Sequence, residues 1–334
     1  MKTGPATSAL RTMADVWEAY RDDLEEVEDQ VRKNLDSSVA LVNTVAAHIL
    51  SSGGKRIRPL LLLLSSRLCG YAGKDDLILA SLVEYIHTAT LLHDDVVDDA
   101  DLRRGRQAAR RVWGNQVSIL VGDYLYSKAI CHIVSFHNQA INEVLSEACQ
   151  KMAEGEVLQL YYNGNPSITE TEYLRIVTYK TAGLIAASCR IGAIIGKSTT
   201  EQQHALCRFG EHLGIAFQLA DDTLDYAANG DRLGKSLGQD LRQGKATLPL
   251  LHLLQHCPEQ DRQMIKDRME TRTLTETELL RIISLMQECG SIGYAMQRAH
   301  EFVMAAQRDL SAFEDSSARR ALSVVAEYMV TRDR

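Results

Sequence analysis

The sequence predicts an all-α fold, and three features carry that expectation. Only five prolines (Pro5, Pro59, Pro166, Pro249, Pro258) interrupt 334 residues. The long intervals between them place apolar residues at helical spacing with few β-branched alternations. Glycine and polar clusters then punctuate the chain in the manner of helix ends.

In order, the first break falls at Ser51–Gly54, ahead of the apolar run Leu60–Leu64. The next, Gly70–Lys74, opens a segment from Leu77 to Asp99 that is apolar almost all round until its acidic end, as expected of a helix surrounded by protein. Breaks at Gly114–Asn115, Asn163–Ser167 and Gly196–Thr200 separate further long helices. The segment from Leu206 to Asp225 repeats the earlier design, an apolar helix ending in carboxylates. Clusters at Asn229–Gly238 and Gln243–Gly244 complete the set; Asn229-Gly230-Asp231 follows an apolar helix and is not read as a hairpin. No linker or low-complexity stretch divides the chain, so a single all-helical domain, residues 1–334, is expected.

Composition narrows the function. Apolar residues make up 45% and charged residues 24%, a globular profile and not a disordered one. The net charge of −7 argues against a nucleic-acid partner, which requires a basic face. Seven cysteines, an odd number without any CxxC pair, read as reduced thiols. Arg11, Asp15, Glu18 and Arg21 interrupt the N-terminal region, unlike a secretory signal, and Leu60–Leu64 is far short of the ~20 residues of a membrane span. A cytoplasmic protein without a transmembrane segment is expected.

Chemistry is concentrated in two acidic clusters. In His93-Asp94-Asp95-Val96-Val97-Asp98-Asp99, Asp94 and Asp98 are four apart and share a helix face. Asp221-Asp222-Thr223-Leu224-Asp225 repeats that spacing. Carboxylates gathered at a helix C-terminus oppose the dipole and one another, so they call for a compensating cation, and hard oxygen ligands suit Mg²⁺. Magnesium binds through few carboxylates plus substrate phosphate oxygens, which points to a phosphorylated ligand. Lys55 and Arg58 in Gly53–Pro59, with Arg103 and Arg104 beyond the first cluster, supply cations for a second anion. His87 stands two turns before Asp94 on the same face, where a core histidine is the alternative. Lys180-Thr181 sits in a long helical run, where a buried lysine needs an anionic partner.

The ordered motifs GGKRIRP (53–59), HDDVVDDADLRRG (93–105), Lys180-Thr181, Phe217-Gln218, DDTLD (221–225) and GKSLGQD (234–240) resemble the trans-prenyl diphosphate synthases, in the register of their long-chain branch. The resemblance spans roughly residues 50–250. It implies a bundle of long, mostly antiparallel helices around a central apolar cavity, a homodimer, and two to three Mg²⁺ ions. It implies Asp94, Asp98 and Asp221 as metal ligands, with Asp95, Asp222 and Asp225 supporting them. Arg103, Lys180, Thr181, Gln218, Lys235 and Lys245 match positions that hold the allylic diphosphate, with farnesyl diphosphate the expected primer. Lys55, Arg58, His87 and Arg104 match the isopentenyl diphosphate site. Asp94, Asp98, Lys180, Asp221 and Lys235 would carry the catalysis.

In this family product length follows cavity depth, and each helical turn below the aspartates adds about 5.4 Å. Ala89 and Thr90 stand where short-chain members place bulky aromatics. Small residues there imply a long product of seven to ten isoprene units, octaprenyl first, of the kind used in quinone side chains. Tyr85, Ile133 and Leu145 are candidate deeper floors. Alternatives are a farnesyl or geranylgeranyl diphosphate synthase, a terpene cyclase, an HD-type phosphohydrolase using His87 and His93-Asp94, and a non-enzymatic subunit with the same fold.

Overall fold

The structure, a computed structural model, describes residues 10–227 and 237–331. In chain order, α1 (Met13–Ala19), α2 (Arg21–Asn34) and α3 (Ala40–Leu50) lead to α4 (Ile57–Leu68) and α5 (Asp75–Val97). A ribbon of β1 (Leu102–Arg103) and β2 (Arg106–Gln107) precedes α6 (Ala109–Trp113), α7 (Asn115–Val134) and α8 (Gln139–Tyr162). Then come α9 (Glu170–Val177), a π turn (Thr178–Ala182), α10 (Gly183–Ile195) and α11 (Thr200–Ala227). The last elements are α12 (Gln239–Arg242), α13 (Leu248–His256), α14 (Glu259–Thr271), α15 (Glu276–Glu288), α16 (Ser291–Asp309) and α17 (Ser317–Thr331). The all-α expectation holds, and the chain forms two compact units.

The first unit comprises Met1–Ser146, Ala187–Cys207 and Ala312–Val324. Its centre is α5, against which α2, α4 and α7 pack. Leu82, Ile86, Ala89 and Leu92 of α5 are fully buried, which is why the sequence shows an apolar helix without a polar stripe. Each such large side chain contributes about 1.5–3 kcal/mol by leaving water. Helix α4 admits Pro59 because it lies in the first turn, where no intrahelical N–H is lost. Helix α2 is mostly charged, and its buried residues are Val27 and Val31, four apart.

Helix α7 is long and apolar enough to cross a membrane, with mean hydropathy 1.3. Yet Val121, Leu125, Ala129 and Ile133 are buried in this unit, so the helix serves its core. Ile119, Leu120, Ile130 and Val134 remain exposed, Leu120 by 66%.

The ribbon between α5 and α6 departs from the sequence expectation, which contained no hairpin. Leu102 pairs with Gln107 across a turn made by Arg104 and Gly105, both at positive φ (51° and 76°). That is the backbone an Asn-Gly pair would signal, built here from Arg-Gly.

The second unit comprises Glu147–Ala186, Arg208–Ser311 and Val325–Arg334. Leu250 and Leu253 of α13, Ile265 and Met269 of α14 and Ile282 and Met286 of α15 form its core cluster. Thr169 and Glu172 cap α9 reciprocally. At Thr178 the helix widens, and Gly183 N–H donates to the Thr178 carbonyl across five residues. The sequence suggested a continuous helix here; the π turn is the correction. It is held by close backbone approach: a Cβ on Gly155 would lie 2.7 Å from Lys180 N, and one on Gly214 would lie 2.5 Å from Ala182 Cα.

Candidate active site

Helix α5 delivers the first aspartate set at its C-terminus. Asp98 caps the helix and donates its N–H to the Asp94 carbonyl at 2.8 Å, so the α-helical repeat persists and the two side chains share a face. Asp95 points the other way and is fully buried. Its Oδ1 accepts Arg103 Nε at 2.8 Å and also Nη2, while Oδ2 is buried without a hydrogen-bond partner. Removing one member of such a buried pair costs about 3–5 kcal/mol. Beyond the helix, Arg110 bonds Asp99 and the Ala100 carbonyl (3.1 Å), fixing the chain that leaves the aspartates.

The same unit assembles the predicted cations. Arg58 Nη1 lies 3.3 Å from His87 Nε2. The Arg104 guanidinium lies against Gly54, whose φ of 152° favours glycine. Burial first, then the guanidiniums of Arg58, Arg104, Arg103 and Arg56, hold His87 well below the usual histidine range. The neutral imidazole therefore accepts from Arg58 at Nε2 and keeps its proton on Nδ1. Burial lowers Arg58 to about 10, which leaves it charged at neutral pH. Its Nε is buried without a partner. Lys55 is exposed at the edge of the loop. Thr90 Oγ1 donates to the His87 carbonyl at 2.8 Å.

Among the chain-length candidates, Ala89 and Tyr85 are fully buried, and Ile133 and Leu145 nearly so. The orientation of Tyr85, open from sequence, is fixed by its hydroxyl, which donates to the Val31 carbonyl of α2.

The second aspartate set lies on α11. Asp222 is buried, its Oδ2 accepting the Tyr173 hydroxyl at 2.6 Å and its Oδ1 accepting Gln218 Nε2 at 2.7 Å. Thr181 Oγ1 donates to Gln218 Oε1 at 2.9 Å, so Thr181, Gln218, Asp222 and Tyr173 form one chain of bonds. Burial, followed by Asp240, raises the Asp222 carboxyl well above the carboxylate range, and the two donors pull against it. Charge-assisted bonds of about 1.5–3 kcal/mol each do not outweigh the loss of water around a buried carboxylate. Asp225 Oδ2 accepts Asp240 N–H at 2.9 Å, and Lys245 N–H donates to the Asp240 carbonyl at 2.9 Å. Asp221 is half-buried. Lys235 lies outside the described residues.

Lys180 was expected to rely on a ligand for its counter-charge. Instead Glu156 of α8 supplies a carboxylate 2.5 Å from Nζ. Sequence reasoning also missed Arg56, Glu84, Tyr173 and Arg110. Glu84 could have been found, since it stands one turn before His87; Tyr173, 49 positions from Asp222, left no local signal. The phosphohydrolase reading loses its basis. His93 Nε2 lies 3.2 Å from the Ile119 carbonyl and 3.3 Å from Asp123, whereas His87 faces a guanidinium that would repel a metal ion.

Comparison with known proteins places this geometry. The profile of the polyprenyl synthetase family matches residues 39–286. The octaprenyl diphosphate synthase of Escherichia coli (strain K12) is 43% identical over 315 residues, covering 93% of this chain and 96% of that relative. The geranyl-diphosphate-specific all-trans-nonaprenyl-diphosphate synthase of Rhodobacter capsulatus is 38% identical, covering 94% and 96%. Among solved structures, a polyprenyl synthase from Caulobacter crescentus CB15 complexed with calcium and isoprenyl diphosphate superposes with TM-score 0.92 at 36% identity, covering 97% of this chain and 99% of that one.

Because the fold favours neutral His87, the unfolded chain takes up a proton near pH 6.5 that the folded chain resists. Stability from this group is complete above that pH and is lost as pH falls below it. Between pH 6.5 and 5.5 the wild-type stability should therefore fall more steeply than that of His87→Gln, the difference in slope approaching about 1.4 kcal/mol per pH unit. Denaturant titrations across that range check it, and parallel curves would contradict the assignment.

Proposed function

Because the chain belongs to the polyprenyl synthetase family and is a trans-polyprenyl diphosphate synthase, a prenyltransferase, we propose that it extends an allylic diphosphate with successive isopentenyl diphosphates to octaprenyl diphosphate. The observation that carries this reading is the cationic cluster of Arg58, His87 and Arg104. Guanidiniums crowded about a neutral imidazole lack an equal anionic charge, and a diphosphate provides one.

In this proposal Lys55, Arg58, His87 and Arg104 hold isopentenyl diphosphate. Arg103, Lys180, Thr181, Gln218, Lys235 and Lys245 hold the allylic diphosphate, with farnesyl diphosphate as primer. Asp94, Asp98 and Asp221 hold two to three magnesium ions. Hard carboxylate oxygens sharing a helix face fit that ion, and Asp95 and Asp222, already bonded to Arg103 and to Tyr173 and Gln218, fit supporting roles with Asp225. The calcium and isoprenyl diphosphate bound in the Caulobacter protein support a divalent cation here. When bound, magnesium supplies positive charge to the departing pyrophosphate.

The side chains orient the substrates, and no nucleophilic residue is required. The C1–O bond of the allylic diphosphate breaks, and pyrophosphate leaves with the electron pair. The double bond of isopentenyl diphosphate forms the new C–C bond to C1, and the resulting cation loses a proton to the released pyrophosphate. In this reading Lys180 and the other cations would act as fixed charges present before the leaving group's charge develops, which is where their advantage arises. Water must be excluded from the cation, as an apolar cavity would ensure.

Small Ala89 supports a deep channel and a long product. Seven cysteines without a disulfide support a cytoplasmic location. The exposed apolar residues Ile119, Leu120, Ile130 and Val134 support a homodimer formed through α7.

Three outcomes are expected. With farnesyl and isopentenyl diphosphates plus magnesium, chromatography should show a C40 product, and chelation should abolish turnover; accumulation of farnesyl or geranylgeranyl diphosphate as end product refutes the long-chain reading. Ala89→Phe should shorten the product by at least one isoprene unit in the same assay, and an unchanged distribution removes Ala89 from the channel wall. Leu120→Asp should shift the assembly from dimer to monomer in sedimentation, whereas an unaltered dimer places the interface elsewhere.

A further inference from the structure

We propose that Arg56 and Glu84 form a buried clamp that positions the isopentenyl diphosphate subsite and governs affinity for that substrate alone. The inference rests on the reading of Lys55, Arg58, His87 and Arg104 as that subsite.

Arg56 stands between Lys55 and Arg58 in sequence, yet its side chain turns into the protein and is only 12% exposed. Its guanidinium bonds three separate elements: Nη1 donates to Glu84 of α5 at 2.5 Å, Nε donates to Glu28 of α2, and Nη2 donates to the Leu50 carbonyl at the end of α3 at 3.0 Å. A planar fork with donors on three sides can do this, and an ammonium cannot.

The backbone records the constraint. Arg56 has φ 46° at the N-cap of α4, a conformation that costs a non-glycine residue free energy and persists only where surrounding contacts impose it. Those contacts are the clamp. They set the exit angle of the loop carrying Lys55 and the first turn of α4 carrying Arg58.

Glu84 connects the clamp to the rest of the subsite. It is 4% exposed and precedes His87 by one turn of α5, so one helix face carries the clamp's anchor and the histidine that Arg58 contacts. Its carboxylate also acts favourably on the charged forms of Arg58 and Arg104. Neutralising it would weaken the restraint on both guanidiniums. Of the groups assigned to the allylic diphosphate, Lys180, Thr181 and Gln218 belong to the other unit, and Arg103 is bonded to Asp95 and not to the clamp, so an effect of the clamp on allylic substrate is not expected.

Steady-state kinetics on the full-length magnesium enzyme, varying each substrate in turn, test this. Arg56→Lys and Glu84→Gln should each raise KM for isopentenyl diphosphate about tenfold, with kcat and the allylic KM within about twofold. The double variant should be no worse than the poorer single, because the residues act as one unit. Thermal unfolding is followed in parallel. Should both variants fail to fold, Glu28→Gln, which leaves the Arg56–Glu84 pair intact, should still raise the isopentenyl KM selectively, by about threefold. Folded variants with unchanged isopentenyl KM, or with both KM values rising together, overturn the proposal. Arg58→Lys is the control. If it leaves the isopentenyl KM unchanged, the subsite reading itself fails; if it raises that KM while the clamp variants do not, only the clamp fails.

Discussion

The guanidiniums of Arg56, Arg58, Arg103 and Arg104 all act on His87, and the buried carboxylates of Glu84 and Asp95 meet two of them directly. Taking like charges out of water is costly, and a fold tolerates it only where each charge has a partner or a ligand will bring one. The first unit follows that rule in two ways. Arg56 and Arg103 are tied directly to buried carboxylates, Glu84 and Asp95. Arg58 is left to a neutral imidazole, with a buried Nε unpartnered. A histidine that stayed protonated would worsen the crowding, and its low proton affinity follows from burial first and then from the surrounding guanidiniums.

The second unit meets the opposite excess. Asp222 is buried near Asp240 and Asp221, and the fold answers with neutral donors, Tyr173 and Gln218, one on each carboxylate oxygen. Neutral partners orient the carboxyl group but do not offset the cost of ionising it in a buried place. Lys180 is treated differently, with Glu156 as a direct ionic partner. Under the proposed function, that difference sets the fixed groups apart from Lys180, which would exchange a protein carboxylate for a phosphate oxygen.

Much of this was legible in the residues, for identifiable reasons. Helices α5 and α11 announced themselves because long stretches of mainly apolar residues run into carboxylates gathered at one end. Arg58, His87 and Arg104 were recoverable from motif order, and the structure brings them into one cluster. What could not be read depended on contacts distant in sequence or on backbone that lacks a side-chain signal. Tyr173 reaches Asp222 across 49 positions. The ribbon turns on Arg104-Gly105, where hairpin chemistry usually shows asparagine. Arg56 sat inside the most informative basic motif and was passed over, since nothing in a linear string says that alternate basic residues point in different directions.

The π turn at Thr178–Ala182 bears on how such chains diverge. A five-residue repeat in place of four leaves one residue surplus to the regular spiral, and everything after it is rotated by about 100° relative to an unbroken helix. The azimuth of the lysine is thus set by the length of the stretch as much as by its composition. A descendant that lost a single residue here would keep the hydrophobic rhythm of both flanking helices and every motif letter. Its ammonium group would nevertheless aim elsewhere, so a one-position gap in an alignment, invisible to any count of identities, would mark the loss.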